Sequence, residues 1–469
     1  MSDLLSALVE IIGAPNVVQG ADADPWSRDW IDSTHWTPVA VVRPATTAQV
    51  SAVVKLANQH RVPVVPVAGN TGLAGGTSAE GSIMLSLDRM SAIREIRPEA
   101  RVAVVEAGVI LSALHDAVDA DDLIFPLTFG ARGSAMIGGV LSTNAGGSNV
   151  LRYGNTRDLC LGLEVVLPTG EVVDLMSELH KDNSGYDLRH LMIGAEGTLG
   201  VITAAVLKLH PKPRAYATAM VAAPSVQDAL GLLNRLQEET GGAVEAFEYM
   251  PRNYIEAHLA RFPGARAPFE QMYDVNILVE VGALAARDAT VAADGTVPVV
   301  EHLESVLGDL FEDGAVLDAV VAKSDAQRAE MWARREAAAE VSRLHDPIVD
   351  NDIAVPLDKM QLLIERVEAR ARALDPGITF NSVAHLGDGN LHFAGWPSTH
   401  DSTVHDSIKE AVEEEVIALG GSFSAEHGIG ISKLPSMRRR KNPQAVAVMR
   451  AIKQALDPNN IMNPGKLLP

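Results

Sequence analysis

The sequence predicts an α+β chain of more than one packed domain, with an antiparallel, ferredoxin-like sheet in its second part. Three observations carry that expectation: a strand–helix–strand unit near the N-terminus, glycine-rich segments interleaved with short β-branched runs, and a later β-α-β-β-α-β succession. With 469 residues and 47% hydrophobic content, the chain has material for two or three cores rather than one.

The first residues, MSDLLSALVEIIGAPN, read as a short amphipathic helix without the basic flank and small-residue cleavage site of a signal peptide. From Pro38, VAVVRPATTAQVSAVVKLANQHRVPVVPVAGN reads strand, helix, strand, with Val50, Val53, Val54 and Ala57 on one helix face. Glycine-rich segments then alternate with strands up to Pro211 and Pro213, which punctuate a domain boundary. Beyond it, YATAMVAA is followed by a helix with Ser225 and Asp228 in capping-box positions and Val226, Ala229, Leu230 and Leu233 inward. VEAFEYM, DVNILVEVGAL, a helix around HLESVLGDLF and AVLDAVVA complete the ferredoxin-like order, with helices expected on one side of the sheet. A helix from about Leu357 to Leu374, with Met360, Leu363, Ile364, Val367, Ala371 and Leu374 inward, precedes the densest polar motifs.

Lys and Arg number 39 against 60 Asp and Glu, a net charge of −21 that repels phosphate backbones and anionic lipid. Nucleic acid is therefore not an expected partner, and an anionic substrate needs a local cation or metal. The lone Cys160 excludes an intramolecular disulfide and any Cys-rich metal site, which fits a reducing cytoplasm. No apolar run approaches the roughly 18 residues of a membrane span.

Residues 66–77, PVAGNTGLAGGT, follow a buried strand and place Gly69, Gly72, Gly75 and Gly76 among Asn70, Thr71 and Thr77. Missing Cβ atoms let successive amides converge on an anion such as a diphosphate, though structural turns use glycine too. Neither the P-loop nor the Rossmann fingerprint is present. Further glycines crowd Gly130 to Gly154 and IGAEGTLGVIT. Together the segments point to close backbone approach to a large ligand.

In NSVAHLGDGNLHFAG, Asp388 and Gly389 read as a two-residue hairpin turn that sets His385 opposite His392 on one face, about 5 Å apart at Cβ. Two imidazoles so placed can share a metal; two hydrogen-bonded histidines beside a turn fit the same spacing. Downstream, FSAEHGIG offers the carboxylate of Glu426 and the imidazole of His427 at what reads as a helix start. Two His and one carboxylate suit a divalent ion with open positions.

These motifs resemble, over nearly the whole chain, the FAD-binding fold of vanillyl-alcohol oxidase and p-cresol methylhydroxylase, in particular the D-lactate, glycolate and D-2-hydroxyglutarate dehydrogenase branch. The resemblance implies a two-subdomain FAD-binding domain over 1–212, a cap domain with the metal-binding hairpin over 213–424, and a segment 425–469 returning to the FAD domain. It implies that Pro66, Gly69, Asn70, Thr71, Gly72, Leu73, Gly75 and Gly76 hold the FAD diphosphate. Pro126, Gly133, Ser134, Ile137, Gly138, Gly139, Asn144, Gly146, Gly147, Tyr153 and Gly154 line the rest of the cofactor with Glu196, Gly197, Gly200 and Ile202. Asn463 and Lys466 approach the flavin, where a cation stabilises the reduced ring. With Asn70 and Thr71 in the loop and no cysteine but Cys160, the FAD is implied to be dissociable.

The same resemblance assigns His385, His392 and Glu426 as ligands of a divalent metal (zinc, with manganese or iron as alternatives), His427 as the base and Arg335 in MWARREAAAE as the carboxylate anchor. Arg334 is the competing anchor, since adjacent helical side chains diverge by about 100°. The implied chemistry is oxidation of a D-2-hydroxy acid to the 2-keto acid: the metal lowers the hydroxyl pKa, His427 takes its proton, and hydride passes to flavin N5. Electrons then leave to an electron-transfer flavoprotein, a quinone or a cytochrome; a homodimer stays open. Three departures bear on the substrate. Ala384 stands where a glycine often does in GHxGDGNxH. Asp350 in IVDNDIAVP stands where hydroxyglutarate enzymes carry Lys, and Ala394 where many have Asn, which leaves D-lactate, D-malate, glycolate and bulkier acids open beside D-2-hydroxyglutarate. An oxygen-using oxidase is the nearest alternative reading; a metal-dependent hydrolase leaves the glycine segments unexplained, and a non-catalytic flavin-binding protein leaves the metal set unexplained.

Overall fold

The computed structural model describes residues 2–469 and resolves into two compact units. The first comprises the residues through Gly146, Asn155–Pro211 and Glu426–Pro469; the second comprises Gly147–Gly154 and Lys212–Ala425.

In the first unit, Ala40–Val42, Ile83–Ser86 and Val64–Val67 form a parallel sheet in that order, with Val17–Val18 added antiparallel at the edge. The helix Thr47–His60 begins where the Thr46 side chain accepts from the Gln49 amide. It buries Val50, Val53, Val54 and Ala57 completely, each valine contributing on the order of 1.5–3 kcal/mol relative to exposure. Leu4, Leu8 and Ile12 of the N-terminal helix Ser2–Ile12 join the same cluster, as do Ile461 and Met462 from the C-terminus. The Val64 amide donates to Ile461 O (2.7 Å) and the Asn463 amide to Val64 O (2.8 Å), so the last residues pair along the strand that leads into the first glycine loop. A second, antiparallel sheet runs Ile93–Arg97, Val102–Glu106, Val201–Lys208, Cys160–Val166, Val172–Leu175. Cys160 is buried there, its thiol pushed up to about 12 by desolvation.

The second unit is an eight-stranded antiparallel sheet. Its first four strands lie in the order Asp318–Val321, Ala215–Ala223, Val275–Ala283, Val244–Pro251, the ferredoxin-like arrangement. Val383–His385, Asn390–Trp396 and Val349–Ala354 extend it, with Thr379–Phe380 also pairing on Asn390–Trp396. Helices cover both faces rather than one. Val226–Thr240, Pro298–Glu312, Met360–Leu374 and Ser402–Ala418 pack on one side. Arg252–Arg261, Asp325–Glu336 and Ala338–Ser342 pack on the other through Tyr254, Ile255, Met331 and Val341. The physical reason is in the central strand: Val275–Ala283 is buried at every position, so it has no face to give to water. The long helix starts at Met360 after a 3-10 turn at Leu357–Lys359, and Leu374, expected inward, is 42% exposed. Among the described residues no helix is long and apolar enough to cross a membrane.

Candidate active site

The first unit brings the glycine segments together as a cradle. A Cβ on Gly69 would stand 2.2 Å from Ser134 O, one on Gly139 3.4 Å from the Ala68 side chain, and one on Gly197 3.2 Å from Pro66. At Gly69 the main chains therefore meet at a distance any side chain would forbid, while Gly197, at φ +71°, and Gly139 hold their segments in tight to ordinary contact. Among the described residues, no backbone amide from Gly69 to Thr77 donates to any acceptor. Nothing lies within 4 Å of a Cβ built on Gly72 or Gly133. Unpaired main-chain donors in a loop with open space beside Gly72 are what a diphosphate requires, so this loop fits FAD.

The C-terminal segment completes the cradle. The Glu196 carboxylate accepts from the amides of Ile429 (2.8 Å) and Gly430 (2.7 Å), and burial pushes its pKa up against those hydrogen bonds. Asn463 Nδ2 donates to Gly76 O (3.0 Å) and Glu196 O (2.7 Å), while its Oδ1 is buried without a partner. Lys466 Nζ donates to Ser78 O (2.6 Å), and desolvation depresses its pKa to about 8. A buried cation with one neutral partner is poised for an anionic ligand. Glu426 Oε1 lies 2.6 Å from where Gly146 would carry a Cβ, so glycine at 146 makes room for that carboxylate.

Glu426 to Gly430 form a loop, not the expected helix start. Gly428 (φ +74°) and Gly430 (φ +49°) hold left-handed conformations, and the next helix begins at Leu434. Gly147, Tyr153 and Gly154 fall in the second unit, where Tyr153 Oη and Arg152 Nη1 each donate to Glu245 Oε1 at 2.7 Å.

The second unit presents a polar sheet face. The hairpin register differs from the expected one: His385 pairs with Asn390 and Val383 with His392, leaving a four-residue turn from Leu386 to Gly389. The turn is closed by the Asp388 amide on His385 O (3.3 Å), and Asn390 is drawn into the ladder by its Nδ2 bonds to Asp352 Oδ1 (3.0 Å) and Ile353 O (2.9 Å). Because the slip is two residues, both histidines stay on one face. Their rings are diagonal neighbours, centroids 5.2 Å apart and planes at 79°.

Glu248, opposite His385 on the next strand and 1% exposed, organises this face. Its Oε1 lies 2.9 Å from His385 Nδ1. Its Oε2 lies 2.8 Å from Arg335 Nε, but off the N–H axis, so that contact is an ion pair without an aligned hydrogen bond. Burial raises the Glu248 pKa, yet its interactions with His385 and Arg335 outweigh that and hold it below the usual carboxylate range. A proton on Nδ1 leaves His385 presenting Nε2 as the ligating nitrogen. Arg335 is buried with no partner at Nη2, whereas Arg334 spends Nη2 on Arg266 O (2.7 Å). His392 Nδ1 stands 3.8 Å from Asp352 Oδ1, and Asp352 also accepts from the Ala425 amide at Oδ2 (3.2 Å). Glu426 and His427 follow Ala425 directly in the chain. Imidazoles and carboxylates on one largely buried face, with a carboxylate fixing one imidazole, fit a borderline divalent ion. Asp388, in the turn, has its carboxyl pushed up to about 6 by burial.

A family model described as FAD binding domain matches residues 38–176, and one described as FAD linked oxidases, C-terminal domain, matches 212–467. The chain belongs to the FAD-linked oxidase family. It is an FAD-dependent oxidoreductase. Among relatives of this family, a D-2-hydroxyglutarate dehydrogenase of Xanthomonas citri pv. viticola is 36% identical over 95% of this chain and 93% of its own. One of Stutzerimonas stutzeri is 33% identical over 99% and 98%, and a mitochondrial one of Bos taurus 32% over 100% and 84%. Among solved structures, p-cresol methylhydroxylase superposes with TM-score 0.74 at 18% identity, covering 99% of this chain and 96% of that one. For 4-ethylphenol oxidase from Gulosibacter chungangensis the values are 0.72, 19%, 100% and 97%. These two share the fold, as the family resemblance in the glycine segments implied.

The sequence motifs point to Arg335, His385, His392, Glu426 and His427 but not to Glu248, Asp352 and Asn390. One signal was present: a carboxylate inside an otherwise apolar run, as in VEAFEYM, is costly unless something pairs with it.

Proposed function

We propose that this oxidoreductase converts a D-2-hydroxy acid to its 2-keto acid, acting as a dehydrogenase that passes electrons to a separate acceptor. The observation that carries the substrate class is Arg335: a buried guanidinium, fixed at Nε by Glu248 and without a partner at Nη2, is a preformed carboxylate anchor. Relatives named D-2-hydroxyglutarate dehydrogenase support the reaction type. In this reading Arg335 holds the C1 carboxylate, and His427 takes the C2 hydroxyl proton. His385, His392 and Glu426 hold a divalent ion, with Glu248 orienting His385 and Asp352 beside His392. Bound FAD supplies the acceptor for the C2 hydride, and the ion supplies charge that acidifies the hydroxyl. Lys466 and the amides of Gly69 to Thr77 hold the cofactor. Asp350 and Ala394, paired on neighbouring strands, supply no cation for a distal carboxylate, which favours acids other than D-2-hydroxyglutarate.

Dye-coupled formation of 2-keto acid from paired D and L acids, before and after removal of divalent metal with a chelator, tests this reading. Product from D acids alone, abolished by chelation and restored by metal, is expected. Product independent of metal, or from L acids only, would overturn it.

A further inference from the structure

We propose that Asn381 contacts the substrate's side chain and selects a 2-hydroxy acid bearing a further hydroxyl group; this rests on the function proposed above. The strand pairs Thr379–Trp396, Phe380–Gly395, Val383–His392 and His385–Asn390 share one register, which sets Asn381 opposite Ala394. The Asn381 amide confirms the rung by donating to Ala394 O at 2.8 Å. On the other side of Ala394 the register places Asp350. Side chains two residues apart on a strand share a face, so Asn381, Ala394 and Asp350 form the row beside Val383, His392 and Asp352. Asn381 is the diagonal neighbour of His392, about 7 Å away.

The Asn381 side chain is 2% exposed, and neither Oδ1 nor Nδ2 has a partner. A buried structural amide on the same sheet behaves differently: Asn276 Nδ2 donates to both Met250 O (3.1 Å) and Tyr273 O (2.9 Å). An amide left wholly unpaired destabilises the fold unless a ligand completes it. The ladder is also interrupted at this rung, because the Ala394 amide donates to Ser382 Oγ (3.0 Å). Opposite Asn381 stands only the methyl of Ala394, which leaves the amide's hydrogen-bonding atoms to whatever enters the row.

A carboxamide offers a donor and an acceptor together, the complement of a hydroxyl. A methyl substituent satisfies neither atom. A carboxylate satisfies the donor alone, and the exposed Asp350 at the far side of Ala394 adds a like charge to the row. The expected preference is therefore hydroxymethyl over methyl and over carboxymethyl.

The test uses the FAD- and metal-loaded protein and follows flavin reduction by D-glycerate, D-lactate and D-malate, which carry these three substituents. Wild type should show kcat/KM for D-glycerate at least about tenfold above that for the other two. Asn381→Leu and, to guard against a packing defect, Asn381→Ala should each reduce the glycerate-to-lactate ratio at least about tenfold. A ratio unchanged in both variants, or a wild type preferring D-lactate or D-malate, overturns the assignment of Asn381 and leaves the dehydrogenase reading standing. Failure of every D acid to reduce the flavin defeats that reading and this one with it.

Discussion

Glu248→Gln removes one charge and almost no volume from the centre of the second unit's polar face. The carboxylate stands 2.9 Å from His385 Nδ1 and 2.8 Å from Arg335 Nε, and both Glu248 and Arg335 are under one-tenth exposed. Two unit charges with centres about 4 Å apart interact by about 4 kcal/mol at the effective dielectric of such sites. Glutamine keeps one acceptor oxygen and a dipole, so about half of that is lost, and the rest appears as an undercompensated buried guanidinium. The carboxamide also presents an N–H to His385 Nδ1 in one of its two orientations. That favours the tautomer with the proton on Nε2, which cannot ligate. Loss of such a partner typically weakens metal binding by 10–100-fold. Chelator competition followed by metal analysis reads the effect directly, with flavin absorbance as the control, since the cofactor cradle belongs to the first unit. Metal affinity within about twofold of wild type, where 1.4 kcal/mol is tenfold, would refute the role given to Glu248.

Gly430→Ala puts a Cβ 2.0 Å from Ala74 O in a residue held at φ +49°, so the C-terminal segment must lift from the glycine loop; FAD affinity measured by ultrafiltration should fall at least about tenfold, the strain alone being about 1–2 kcal/mol. Lys466, depressed by burial to about 8, is charged in the fold only below that pH. Between about 8 and its ordinary 10.5 the unfolded chain binds the extra proton, so this group's contribution to stability rises with pH there. FAD binding has the opposite sign: an anionic ligand needs the protonated amine, so affinity should fall as pH climbs past about 8, by at most about tenfold per unit. Lys466→Met should weaken FAD at neutral pH and flatten that slope.

The glycine loops were legible because their constraint is local: a main chain that must expose consecutive amides or touch another main chain has to omit Cβ atoms. The helix faces and the ferredoxin-like strand order were legible for the same reason, through periodicity. The hairpin was half legible. Asp388-Gly389 announces a turn, but tertiary contacts set its length, with a Cβ on Gly389 falling 2.3 Å from Val355 O and Asn390 bound to Asp352. The common face survived since side-chain parity is unchanged by a two-residue slip. Glu248 was hidden because its partner His385 is 137 residues away. Asn381 gains meaning only from the absence of any partner in the fold. Gly147–Gly154 joins the second unit through Glu245, a pairing that no periodicity in either segment announces.

The visible spectrum of the FAD- and metal-loaded protein during anaerobic titration with D and L acids reads the proposed FAD-dependent oxidation of a D-2-hydroxy acid at its first step. Flavin bands should bleach with D acids and persist with L acids, and should no longer bleach at the same concentrations in Arg335→Met. A protein that binds no FAD, or a flavin that stays oxidised with every D acid while the metal is in place, would contradict it.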